Sequence, residues 1–270
     1  MFDVESFPWF ASLPSVQNLF VSAVDPLVVH LPFGHSVRVT APSTIAPSPT
    51  WTPGHYLAAA RGFSALYWGL LLVVLVMVGT LTIHLPLAAR LPGHAAGLLL
   101  LLAGCWHMRQ VWTGPGAGRA WLRVLAGMVA LQLYLVPFLG WWRAGTAAWY
   151  AALNIVLLLV GGIVLLAAIP RLVRQLAHQT GNSDLENEAR VGGWLVPVMG
   201  GVSLFLYILP VGRLAWDTDP AFALRHLLTA TGPLMLFPAV LPFIPAMAVA
   251  WSGKESALLA LLTGPDRMPE

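Results

Sequence analysis

The chain has 270 residues, of which 58% are hydrophobic and only 9% charged, with a formal net charge of +3. A soluble domain carries about a quarter charged residues, so this composition, with a mean hydropathy of +0.76, excludes an ordinary soluble enzyme and places the chain in the membrane class. Cys105 is the only cysteine. That excludes an internal disulfide, a CxxC redox pair, a Cys-ligated iron–sulfur cluster and a CxxCH haem attachment.

Residues 1–60 read as an interfacial segment. No basic n-region precedes an apolar core there, so no signal peptide is expected. Leu13, Val16, Phe20 and Val24 recur at helical spacing among polar residues, which predicts an amphipathic helix over 13–25 lying at the membrane surface. Pro42, Pro47, Pro49 and Pro53 then predict an extended linker, because proline disfavours both helix and central strand.

Six apolar runs follow over residues 61–251, and a span needs about 20 apolar residues. They are Gly62–His84, Ala95–Val111, Ala120–Trp142, Ala147–Ile169, Val191–Val211 and Phe222–Trp251. Between the fourth and fifth, Asp184, Glu186 and Glu188 in NSDLENEAR read as a solvated loop. The last run holds Pro233, Pro238, Pro242 and Pro245. Each removes a backbone donor and clashes with the preceding turn. A break after Pro233 is therefore expected, facing protein rather than lipid. Residues 252–270 read as a cytoplasmic tail, with Ser252 and Glu255 as a capping box ahead of a short amphipathic helix. The fold class is thus all-α: a polytopic transmembrane helical bundle, six spans by this reading, with an N-terminal interfacial helix and a short amphipathic C-terminal helix.

Basic residues orient it. Arg38, Arg61, Arg109, Arg119, Arg123, Arg171, Arg174, Arg190, Lys254 and Arg267 fall on one side, and only Arg90, Arg143, Arg213 and Arg225 on the other. The positive-inside rule makes the first side cytoplasmic, with both termini inside, as in a bacterial inner membrane.

The most informative chemical feature is an absence. No acidic residue occurs between Asp25 and Asp184, and none inside the fifth and sixth apolar runs. Ion-coupled transporters and carboxylate-bridged metal sites place Asp or Glu in the membrane. No Walker, GxSxG or HExxH motif occurs. Histidine remains. His84 and His226 close the first run and open the sixth on the outer side, and such a pair suits the axial positions of a b-type haem. His94 is placed in the first outer loop. His107, with His55 in the flexible segment before it, offers a second pair at the inner side. The plainer reading leaves all of these at the interface, where water reaches them. Asp217 and Asp219 in WDTDP read as a solvated loop pairing with nearby arginines, and no metal site is expected.

Gln132 and Asn154 are the clearest amides inside apolar runs, and their similar depth predicts a hydrogen bond across the hairpin. Gly161-Gly162 and Gly200-Gly201 predict close helix approach. Arg171, Arg174 and His178 share one face beyond the fourth span and suit anionic lipid headgroups. Together these features predict a non-catalytic integral membrane subunit that anchors or scaffolds a larger membrane complex, with lipid bilayer and protein partners and no nucleic acid. A b-haem- or quinone-binding electron-transfer anchor is the alternative. A permease for a neutral or lipidic solute, using the broken sixth span, is the third reading.

Overall fold

The computed structural model describes residues 51–82, 87–143, 149–217 and 236–263. The interfacial helix over 13–25, His84, His226, Asp219 and the stretch around Pro233 lie outside them. Seven helices run through the described residues: α1 (Pro53–Thr82), α2 (Leu87–Arg109), α3 (Ala117–Arg143), α4 (Trp149–Thr180), α5 (Ser183–Asp217), α6 (Leu236–Val240) and α7 (Phe243–Thr263). The first five are long and apolar enough to cross a membrane. The chain is a helical membrane bundle.

Local chemistry sets the helix ends. Thr52 caps α1, and Pro53 takes the first helical position, where its missing N–H costs nothing. The Thr52 N–H donates to His55 Nδ1 at 3.1 Å, the reciprocal half of a capping box with histidine in the usual Glu position. His55 is therefore in the first turn of α1, not in a flexible segment. At the other junction α4 ends at Thr180, and Gly181 follows at φ +68°, where an L side chain would be strained. The Asn182 N–H returns to Ala177 O at 3.2 Å, and Asn182 Oδ1 accepts from the Leu185 N–H at 3.0 Å. One residue stops α4 and the next caps α5. The expected NSDLENEAR loop is thus the first turns of α5. Acidic residues suit a helix start, because they oppose the positive end of its dipole.

Glycines let α1 and α2 touch backbone to backbone. A methyl built on Gly69 would lie 2.8 Å from Gly97 O, and one on Gly104 would lie 2.9 Å from Gly62 O. The two glycines of each helix are spaced by two turns, so they share a face. Without a hydrophobic drive between helices in lipid, such close approach supplies the attraction. Of the predicted small pairs, Gly161 sits against Gln132 and Gly200 against Ile163 of α4, while Gly201 has nothing within 4 Å of an added Cβ.

Helix α7 packs against α1, α4 and α5. Its buried face carries small residues, Ala246, Ala250, Gly253, Ala257 and Ala260, at heptad-like spacing. Ser252 and Glu255 lie inside α7 rather than starting a helix. The stretch beyond Trp251 is helical, as expected, but it continues the preceding helix and is docked. Ser252 Oγ donates to Glu188 Oε1 at 2.6 Å, and Asn182 Nδ2 to Ser256 Oγ at 3.5 Å. The small residues let α7 reach the α4–α5 turn, and so the segment does not lie free as a tail.

Candidate site: an intramembrane cavity beside the broken helix

The proline-rich run is not one straight helix. Helix α6 ends at Val240, and α7 begins at Phe243. Pro242 has no N–H, so it cannot donate to the carbonyl of Pro238, four residues back. Ser203 of α5 takes that acceptor, with its hydroxyl hydrogen-bonded to Pro238 O and also within 2.7 Å of Met199 O. Ser203 is buried. This break, at Leu241-Pro242, faces protein, and a neighbouring helix satisfies its freed carbonyl; the break expected after Pro233 lies outside the described residues.

Beside the break lies a cavity of about 140 Å³. Helices α1 to α5 contribute to its wall, and Ala239, Pro242 and Phe243 close it at the break. Its residues on α1 (Val73, Met77) come late in the helix and those on α2 (His94, Leu98) early, so it occupies the half of the bundle away from the arginine-rich ends. The wall is apolar except for His94, Gln132 and Ser203.

The three polar groups come from different helices. His94 is in α2, not in an outer loop. Pro92 lies inside this helix, which membrane helices tolerate where neighbours satisfy the backbone. Among the described residues the imidazole of His94 makes no hydrogen bond. Gln132 Nε2 donates to the carbonyl of Leu158 at 2.7 Å. Gly161 and Gly162 make this possible, since a methyl on Gly161 would stand 3.0 Å from that nitrogen. The expected Gln132–Asn154 bond does not form. Gln132 reaches one turn further along α4, where the glycines expose a carbonyl. Asn154 Nδ2 is left buried with no partner. A carbonyl can only accept, so the Leu158 contact also fixes the Gln132 amide, with Oε1 as its remaining acceptor.

The other sequence candidates are dispersed. His107 closes α2, and among the described residues no ring contact or hydrogen bond joins it to His55, whose Nδ1 is occupied by Thr52. Asp217 ends α5. The three basic groups beyond the fourth span are already engaged by protein. Arg171 stacks 4.2 Å over Trp121. Arg174 and His178 approach Glu186 at 3.3 and 3.6 Å, and Arg190 joins them at 3.2 Å. Glu186 reaches them because the segment carrying it is helical, which places it across the turn from α4.

Sequence reasoning singles out the proline-rich run and Gln132, but not Ser203 or His94 as parts of one site. A faint signal was present for Ser203: it is a lone hydroxyl within the apolar stretch GGVSLFL. Comparison with known proteins finds no matching family model, no matching curated protein and no matching solved structure. Fold and cavity together define the class: a polytopic helical membrane protein with an internal cavity at a proline-broken helix.

Proposed function

We propose that this chain is a non-catalytic membrane protein that holds a small neutral solute in the cavity beside its broken helix. The observation that carries this reading is the cavity itself: an apolar chamber in the bundle, with three convergent polar groups, at a helix break. Small-molecule sites combine a mostly apolar wall with a few placed polar groups, and irregular backbone at membrane depth occurs where protein or a cavity lines it. A chamber of roughly 150 Å³ accepts a benzene-sized molecule. The lack of acidic residues through the first four apolar runs favours an uncharged solute over an ion-coupled one. Anchoring of a larger complex accounts for the same lack of acids but does not call for a chamber. We orient the arginine-rich ends towards the cytoplasm, so the cavity opens on the outer half.

The test is solvent extraction of the purified chain and of the Gly162→Leu variant, followed by mass spectrometry. Gly162 lines the cavity, and a Cβ there meets only Gln132 Nε2 at 3.8 Å, so leucine fills the chamber. A small neutral compound enriched in the wild type and depleted in the variant is the expected result. Identical extracts overturn the reading.

A further inference from the structure

We infer that the solute is a small neutral alcohol or phenol, recognised by its hydroxyl group; this rests on the cavity reading above. The inference follows from counting what each polar group has left to offer. Gln132 has one N–H committed to Leu158 O, leaving Oε1 as an acceptor and a second N–H as a donor. Ser203 has its single hydrogen committed to Met199 O and Pro238 O, so towards the cavity it presents only lone pairs. A neutral imidazole offers one donor and one acceptor, and among the described residues His94 uses neither.

The wall therefore shows more acceptors than donors, with both present. A hydrocarbon leaves every one of them unpaired. A ketone or ether, which can only accept, leaves Gln132 Oε1 and the Ser203 oxygen without a hydrogen. A hydroxyl donates once and accepts through its own lone pairs, so it pairs with both kinds. Sites built to hydrogen-bond a hydroxyl discriminate strongly against the analogue that lacks it, because their buried polar groups are then stranded. The rest of the wall, from Val73 and Met77 to Phe243, suits an apolar body of about one ring.

The experiment is fluorine NMR of the purified full chain in detergent with 4-fluorophenol and 4-fluorotoluene, two probes of nearly equal size. The signal from Gly162→Leu, or from Ala239→Phe if the first variant does not fold, is subtracted as micelle background. The expected result is 4-fluorophenol binding about tenfold tighter than 4-fluorotoluene, the order of one hydrogen bond in a buried site, with the preference lost in His94→Phe. Equal binding of both probes, blocked by the filled cavity, overturns the hydroxyl assignment and leaves the solute reading standing. No difference between wild type and filled variants for either probe overturns both. A preference that survives in both His94→Phe and Gln132→Leu also overturns the assignment.

Discussion

Ser203 of α5 donates to the carbonyl of Pro238, the acceptor that Pro242 leaves without its helical donor. One side chain from a neighbouring helix thus holds the end of α6 in place. The Ser203→Ala variant strands that carbonyl in a buried setting, a loss of about 1–3 kcal/mol. Unfolding of the purified protein by denaturing detergent measures it. A variant as stable as the wild type contradicts the role assigned to Ser203.

The two amides of the α3–α4 hairpin give opposite expectations. Gln132→Leu removes a bond to Leu158 O, and interhelical bonds of this kind contribute about 0.6 kcal/mol, up to about 1.7. Asn154→Leu removes a buried amide nitrogen that has no partner, and replacing such a group with an apolar one is neutral or stabilising. Side-by-side unfolding curves should show Gln132→Leu below the wild type and Asn154→Leu at or above it. The reverse order would sink the assignment of these amides.

The α1–α2 contact depends on absent side chains. Gly69→Val places its Cβ 2.8 Å from Gly97 O, and backbone cannot yield as a flexible side chain can. Overpacking of this sort costs typically about 1–3 kcal/mol. Gly114→Val, where a Cβ meets nothing within 4 Å, should leave stability unchanged. Thermal unfolding of the two variants checks the contrast, and equal stability refutes a close α1–α2 contact.

Glu186 restrains two of the basic groups that the sequence assigns to anionic lipid, Arg174 and His178, together with Arg190. It lies within 4 Å of Arg174, His178 and Arg190. These pairs are solvent-exposed and screened, so they contribute little to stability, and Glu186→Ala should barely change stability while freeing three basic side chains. The expected readout is more anionic phospholipid retained in native mass spectrometry, a gain that falls with added salt. Unchanged lipid retention argues against headgroup binding at this end.

Orientation is tested at the two open turns. Single cysteines at Gly114 and at Gln179, beside Gly181, in a Cys105→Ser background, should react with impermeant reagents from the cytoplasmic side. Both positions are exposed, and the helix ends beside them carry Arg109, Arg119, Arg174 and Arg190. Labelling from the outside reverses the topology.

What the sequence alone determined is what depends on composition and local pattern. Apolar length fixed the membrane class and placed the helices, because lipid permits no unsatisfied backbone. Four prolines in one run required a break, since each removes a donor wherever it sits. The acidic run after Gly181 reads as a loop in the sequence, because helix starts and solvated loops favour the same residues. What tertiary structure decided is which groups meet. Nothing in the spacing of Gln132 and Asn154 reveals that Gly161 and Gly162 expose the Leu158 carbonyl one turn away. Nothing near Pro242 reveals that its stranded acceptor is met by Ser203, from a helix 35 residues earlier. His94 becomes a cavity residue only because α2 continues through Pro92. Each of these contacts joins residues distant in sequence, and their partners are set by how closely the helices approach, which local pattern does not encode.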